Sequence, residues 1–351
     1  MYILALADDM TGALETGAKF SAAGIETIVS AKPVEMNRAV ALVLDTETRH
    51  LDAGTAGREV QRFVRAGSTR EPQLIYKKTD STLRGNISAE LRALAQLYPD
   101  WTIGYAPSYP ALGRTVKAGD LYVHGRPVSE TEFAADELNP IGSSSIRAML
   151  GKDFACTVFD GETDAHLAQS AQAILSDPKM RIAVGPAGLA QMLAAKVDVP
   201  RKNPACLPRV RTCLVINGSR HKSSVAQMQG FTAAGWQVVH AVLEPGLDAA
   251  QVARANGSFL LAQLALQKPD AIFVIGGDTA FAVIRELGFP NMVSIAEVVP
   301  GVPVTHIAAA DVRQALPGRQ EDLILITKAG AFGGPDVLSR VHAQLSGDYG
   351  R

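Results

Sequence analysis

The densest chemistry in the chain lies in ten residues, Lys77-Lys78-Thr79-Asp80-Ser81-Thr82-Leu83-Arg84-Gly85-Asn86. They hold three cations, one carboxylate, three hydroxyls and a glycine. That set suits an anionic, hydroxylated small molecule. A simpler reading is a solvated strand end that caps the next helix. A second cluster is Asp8-Asp9-Met10-Thr11-Gly12. Carboxylates there can hold Mg²⁺, orient a substrate hydroxyl or act as a general base. One aspartate is enough for a helix cap, and two in a row exceed that need. A third cluster runs Asp45-Thr46-Glu47-Thr48-Arg49. Arginine pairs bidentately with a carboxylate, which lysine does less well. Arg49, Arg84, Lys77 and Lys78, with Asp9 and Asp80 for hydroxyls, describe a pocket for a small acid.

The second half offers a different chemistry. Gly218-Ser219, Gly276-Gly277-Asp278-Thr279 and Gly330-Ala331-Phe332-Gly333-Gly334 each follow an apolar run. Glycine at a strand-to-helix turn lets backbone N–H groups approach a phosphate, and the helix dipole favours the negative charge. Ser219, Ser223 and Thr279 add hydroxyls, and Lys328 adds a cation. None of these turns has Walker A spacing. Three such turns in one half point to a nucleotide site.

These clusters need elements to carry them. Tyr2–Ala7, Ala39–Leu44, Leu74–Tyr76 and Trp101–Ala106 read as buried parallel strands, because they are short and continuously apolar. Helices are expected between them, at 55–66 and 87–97. Each strand ends in a polar cluster: Asp8-Asp9, 45–49, 77–84 and 107–114. In a parallel sheet those ends share one edge, where α/β proteins bind ligands. Residues 113–140 break the pattern with Gly and Pro punctuation and read as a hairpin or flap, a candidate lid. A proline-containing stretch at 196–211 reads as a boundary. The expectation is an α/β protein of two domains, 1–207 and 208–351, each a mostly parallel sheet flanked by helices.

With 351 residues, two cores are expected. The formal net charge of -1 gives no general affinity for nucleic acid or anionic membranes. No apolar run is long enough to span a bilayer. The apolar start is cut by Asp8-Asp9 and reads as a strand rather than a signal peptide. The three cysteines, Cys156, Cys206 and Cys213, show no metal spacing and read as reduced and buried in a cytoplasmic protein. His50, His124, His240 and His306 form no recognisable triad or metal set.

The clusters resemble those of the four-carbon acid sugar kinase family, which phosphorylates threonate, erythronate or 3-oxo-tetronate at the terminal hydroxyl. The resemblance rests on Ala7–Ala13, Asp45–Arg49, Lys78–Asn86, Gly113-Arg114-Thr115, Gly125–Thr131, Asn217-Gly218-Ser219, Gly276–Thr279 and Lys328–Gly333. The order and spacing cover nearly the whole chain. It departs at the serine turn, which reads Asn-Gly-Ser-Arg-His, and at Ala329, where serine is common. The C-terminal domain also looks short for the family.

The resemblance implies a sugar-acid-binding N-terminal domain facing an ATP-binding C-terminal domain across an interdomain cleft that holds the active site. It places substrate contacts on Asp9, Arg49 and the loop Lys78, Asp80, Ser81, Thr82, Leu83 and Arg84, with Asp8 beside them. It places ATP contacts on Ser219, Gly276, Gly277, Asp278, Thr279 and Gly330. Mg²⁺ would bridge the phosphates, with its protein ligands undefined. Asp9, Asp80 and Asp278 are the candidates to deprotonate the hydroxyl. A non-catalytic sugar-acid sensor and an ATP-dependent enzyme for another hydroxy acid remain open alternatives. The partner expected is a small sugar acid, and the sequence leaves oligomeric state open, a homodimer included.

Overall fold

A computed structural model describes residues 2–34, 39–67, 71–136, 138–239 and 248–347. The chain divides into two compact units, Met1–Thr27 with Ala31–Lys202, and Ile28–Ser30 with Asn203–Arg351.

The first unit begins with β1 (Ile3–Ala7), α1 (Met10–Ala22), β2 (Thr27–Ser30, whose last three residues belong to the other unit), β3 (Ala41–Asp45) and α2 (Ala53–Gly67). It continues with β4 (Leu74–Lys78), α3 (Ile87–Leu97), β5 (Ile103–Tyr105), β6 (Arg114–Lys117), β7 (Asp120–Val123) and β8 (Arg126–Pro127). It closes with α4 (Ile146–Leu150), β9 (Thr157–Val158), α5 (Asp164–Ser176), β10 (Ile182–Gly185) and α6 (Ala187–Lys196). Its sheet runs β3-β1-β4-β10-β5-β9, parallel throughout. β1, β3 and β4 are buried along their whole length, which is why β1, β3 up to Leu44 and β4 up to Tyr76 read as unbroken apolar runs rather than alternating ones. The register decides the site. Ala7 pairs with Asp45 on one side and Lys78 on the other, so three strands end level. The segments 8–9, 46–49 and 79–84 therefore leave the sheet side by side. The break at 113–140 is an antiparallel sheet of β6, β7 and β8 followed by short 3-10 turns.

The second unit contains β11 (Cys213–Asn217), α7 (Lys222–Met228), β12 (Trp236–Val239), α8 (Ala249–Gln267), β13 (Ala271–Ile275) and α9 (Gly277–Glu286). It ends with β14 (Met292–Glu297), β15 (Pro303–Ile307), α10 (Ala309–Val312), β16 (Leu323–Lys328) and α11 (Val337–Ser346). β12-β11-β13-β16 are parallel, and β15 and β14 continue the sheet antiparallel. Ile28 and Val29 pair antiparallel with Val293 and Met292. The core gathers Val215, Trp236, Phe273, Ile326 and Val341. The strand expected at 236–240 is observed to Val239, and His240 lies outside the described residues.

Each unit is thus α/β with a mostly parallel sheet flanked by helices. The cysteines differ from expectation. All three are free, but only Cys213 is buried, while Cys156 is half-buried and Cys206 exposed. Cys206 sits in the irregular stretch before β11, where no apolar face covers it. Among the described residues no helix is long and apolar enough to cross a membrane.

Candidate active site

In the first unit, Asp9 is the N-cap of α1, its Oδ1 accepting the Gly12 N–H at 3.0 Å. It also does more than cap. Arg49 Nη1 donates to Asp9 Oδ2 at 2.9 Å, and Arg49 Nε and Nη2 donate to the two Asp8 oxygens at 2.8 and 3.0 Å. The guanidinium fork thus binds two consecutive carboxylates, the geometry for which arginine is suited. Burial opposes the Asp8 charge, but Arg49 and Lys77 outweigh it and hold its pKa below the ordinary value. Gly12 fits here because a Cβ would lie 2.6 Å from Asp9 Oδ1 and 2.9 Å from Lys78 Nζ.

The two lysines have different environments. Strand side chains alternate faces, so neighbours in β4 point opposite ways. Lys78 lies by Gly12 and donates to the Thr79 carbonyl at 3.0 Å. Lys77 is fully buried, and its Nζ sits 3.1 Å from Glu90 Oε2 on α3. Lys77 therefore does not face a ligand beside Lys78: its ammonium pairs with Glu90 in the core and favours the Asp8 charge only through space. Glu90 also accepts from Thr48, whose hydroxyl pairs with that of Thr46 at 2.8 Å.

The loop after β4 folds on Asp80. Its Oδ2 accepts from the Thr82 amide at 2.9 Å and from the Thr82 hydroxyl, and Arg84 binds both its oxygens at 3.1 and 2.9 Å. Burial opposes the charge, but Arg84 and Arg49 outweigh it and hold this carboxyl far below the usual range. Leu83 sits at φ 68, a left-handed conformation unusual for leucine, with its side chain buried. The Ser81 hydroxyl makes no hydrogen bond among the described residues and is half-buried.

Two residues of this region, Phe133 and Asp136, carry no signal in the sequence. Asp136 binds Arg84 Nη1 at 3.1 Å, and Phe133 lies under both Arg84 and Arg114. The antiparallel excursion therefore contributes directly to the 80–84 loop. Asp45 and Glu47 belong to the strand-end cluster, and burial sets their protonation. Burial and then Asp9 push the Asp45 carboxyl up to about 7, and burial and then Asp45 push Glu47 up to about 10. Asp45 Oδ2 and Glu47 Oε2 are buried without hydrogen-bond partners among the described residues. Glu47 also has φ 47.

A raised carboxyl pKa means the folded chain binds a proton that the unfolded chain releases. Between pH 4 and 7 the unfolded state holds fewer protons, so this contribution to stability falls as pH rises. Above pH 7 the buried charge is a standing penalty. Asp45→Asn should therefore raise stability at pH 8, by on the order of 2 kcal/mol, and change little at pH 4. Thermal melts at the two pH values measure this. Equal shifts at both would refute it.

In the second unit, Gly218, Ser219, Arg220, Val252, Ala253, Gly276, Gly277, Asp278, Thr279 and Gly330 line one cavity of about 290 Å³. Three strand-end turns meet there. Gly276, at φ 113, N-caps α9, whose first turn carries Asp278 and Thr279. A Cβ at Gly218 would strike Thr279 Oγ1, and one at Gly330 would strike Ser219 Oγ. The turns are thus as close as glycine permits. Lys328 does not point freely at this cavity. Its Nζ donates to the carbonyls of Ala329, Gly330 and Phe332 at 2.9, 3.3 and 2.9 Å, and burial lowers its pKa to about 8. Gln227 Nε2 donates to the Phe332, Gly333 and Gly334 carbonyls. Together they shape the 329–334 loop by holding its carbonyls. Val252 and Ala253 of α8 were invisible as site residues because apolar helix positions look like core. The arrangement fits a polyphosphate: amides, hydroxyls and a helix N-terminus converge on an open space. Among the described residues no group of three or more His, Cys, Asp or Glu is placed to hold a metal.

Comparison with known proteins matches this division. Residues 3–155 match the family described as a sugar-binding N-terminal domain, and residues 211–338 the one described as a nucleotide-binding C-terminal domain. A D-threonate kinase from Bordetella bronchiseptica is 31% identical over 409 aligned positions, covering 97% of this chain and 96% of the relative. The chain belongs to the four-carbon acid sugar kinase family. A second member, a 3-oxo-tetronate kinase from Methylobacterium radiotolerans, is 25% identical and covers 95% of this chain and 97% of its own. A Haemophilus influenzae structure shares the fold with a TM-score of 0.74 at 19% identity, covering 97% of this chain and 100% of its own. The 409 aligned positions exceed the 351 residues here, so the Bordetella family member carries stretches that this chain lacks.

Proposed function

We propose that this protein is a kinase that transfers the γ-phosphoryl group of ATP to the terminal hydroxyl of a four-carbon sugar acid such as threonate, erythronate or 3-oxo-tetronate. The observation that carries this reading is the pair of unlike sites. One is a carboxylate–guanidinium array with free hydroxyls in the sugar-binding unit, and the other a three-turn glycine cavity in the nucleotide-binding unit. The Asp8-Asp9 oxygens, held by Arg49, accept from substrate hydroxyls, and the 78–84 loop supplies Lys78, Ser81 and backbone groups. Arg84 grips both oxygens of Asp80, and Asp278 lines the glycine-turn cavity of the other unit, so we assign to Asp9, whose side chain is 21% exposed against 9% for Asp80, the task of orienting and deprotonating the acceptor hydroxyl. In this reading Asp45, whose carboxyl burial and then Asp9 push up to about 7, receives that proton in turn.

When bound, ATP supplies the phosphoryl group, and Mg²⁺ neutralises phosphate charge. The Gly218–Ser219 and Gly276–Thr279 turns hold the phosphates, with Asp278 the carboxylate lining their cavity. Positioning and charge neutralisation provide most of the acceleration in this chemistry.

ADP release over a panel of four-carbon acids tests the reading, with Asp9→Asn as control. Activity on at least one acid, reduced in the variant, is expected. No release with any of them would sink it. Gly330→Ala is expected to raise KM for ATP about tenfold or more, because the added methyl meets the Ser219 side chain, with KM for the acid little changed. An unchanged ATP KM would remove Gly330 from the phosphate site.

A further inference from the structure

The sugar-binding unit holds three arginines around its site, and two have their charge matched. Arg49 is paired with Asp8 and Asp9, and Arg84 with Asp80 and Asp136. Arg114, the first residue of β6, makes no ion pair among the described residues. Its Nη1 donates to the Leu112 carbonyl and lies 3.4 Å from His124 Nε2. Its Nε is buried with no hydrogen-bond partner among the described residues. A buried guanidinium N–H without a partner is uncommon, because leaving it unmet is costly.

The position is held firmly. Tyr109 and Arg114 exchange backbone hydrogen bonds at 2.8 and 3.1 Å, and Gly113 turns the chain at φ 70 against the His124 ring. The Arg114 and Arg84 guanidinium carbons lie 5.9 and 5.5 Å from the centroid of the same Phe133 ring. Two cations therefore gather at one aromatic ring, beside the loop folded on Asp80. Burial weakens the Arg114 charge, as does Arg84, while Asp80 and Glu132 partly offset this. An anion is the missing component of such an arrangement.

We propose that Arg114 is the carboxylate subsite of this pocket, its guanidinium taking the acid group of a short hydroxy acid while Asp8, Asp9 and Arg49 read the hydroxyls. This rests on the sugar-acid reading above. It places the acid group against the β6–β8 excursion and separates two tasks. Arg49 is held by its own aspartates, so recognition of the acid passes to the arginine that lacks one. Neutral four-carbon polyols and amides would meet an unmatched guanidinium and be rejected, because a site built for an ionic partner penalises its absence.

Calorimetric binding without nucleotide tests this, using D-threonate, D-erythronate and the neutral amide of D-threonate. The intact protein should prefer the acids over the amide by about 30-fold or more. Arg114→Ala should weaken acid binding by about 10- to 100-fold and leave the amide within about twofold, with Arg114→Lys in between. The thermal midpoint of each variant checks that the fold is kept. Equal weakening of acid and amide, or no change in acid binding, would overturn the proposal. So would an Arg49→Ala variant that alone abolishes the acid preference. Because no phosphoryl transfer is involved, acid binding that depends on Arg114 with no ADP release would sink only the kinase reading. No binding of either acid by the intact protein would overturn both.

Discussion

Arg49→Ala should lower kcat/KM for the sugar acid by on the order of 10²–10³-fold while leaving KM for ATP near its original value. The reason is electrostatic. The Asp8 side chain is 2% exposed, and burial is the largest single influence on its titration. Without the guanidinium only Lys77 and Lys78 remain to favour its charge, and Lys77 already faces Glu90. Asp8 then takes up a proton or holds the loop apart, and Asp9 loses the bond that fixes its second oxygen. Removing one partner of a buried pair typically costs about 3–5 kcal/mol. Arg49→Lys keeps a charge but cannot reach both carboxylates with one ammonium, so it should recover only part of the loss. ADP-release kinetics with the acid and with ATP varied separately measure the split. An Arg49→Ala enzyme with intact kcat/KM would show that Asp8 and Asp9 need no counter-ion, and would remove them from the site.

The strand ends were legible in the sequence because buried parallel strands read as unbroken apolar runs, as β1, β3 up to Leu44 and β4 up to Tyr76 do. Once they are parallel neighbours, the clusters at 8–9, 45–49 and 78–84 must come together. The glycine turns were legible for a related reason, since each sits where an apolar run stops. What was not legible was how charges pair. That Arg49 binds Asp8 and Asp9, rather than standing open, depends on the level register of β1 and β3, which no local pattern encodes. Phe133 and Asp136 lie in an irregular segment whose return to the 80–84 loop has no periodic signal. Lys77 was different, because its fate could be read. Consecutive strand residues face opposite ways, so Lys77 and Lys78 cannot both serve one pocket. On α3, Ile87, Glu90, Leu91 and Leu94 fall on one helical face, which places a carboxylate in an otherwise apolar stripe. A buried lysine and a striped glutamate imply each other.

That pair gives the second large effect. Glu90→Ala should destabilise the sugar-binding unit by about 3–5 kcal/mol, because Lys77 is left charged and unpaired at 0% exposure. Lys77→Met should be similarly harmful by stranding Glu90. The double variant Lys77→Met with Glu90→Leu should return to within about 1–2 kcal/mol of the original, since apolar replacement of a buried pair is often neutral. The chain has two tryptophans, Trp101 in the first unit and Trp236 in the second. Urea unfolding followed by Trp101 fluorescence in a Trp236→Phe background therefore reports the unit concerned. A double variant as unstable as the singles would show that volume, not charge, governs the site.

Activity of the same variants separates stability from positioning. Glu90 accepts from Thr48, Thr48 pairs with Thr46, and Thr46 donates to the Ala7 carbonyl at 2.8 Å. Those bonds tie the segment that carries Arg49 to the end of β1. Leucine at position 90 restores an apolar core but removes the carboxylate that anchors Thr48, leaving it only the Thr46 hydroxyl. The double variant should thus be stable yet about tenfold or more lower in kcat/KM for the acid. Full recovery of both properties would mean that the threonine network is ornamental to the site. Recovery of stability alone would identify Glu90 as the residue that couples the core of the unit to its carboxylate–guanidinium array.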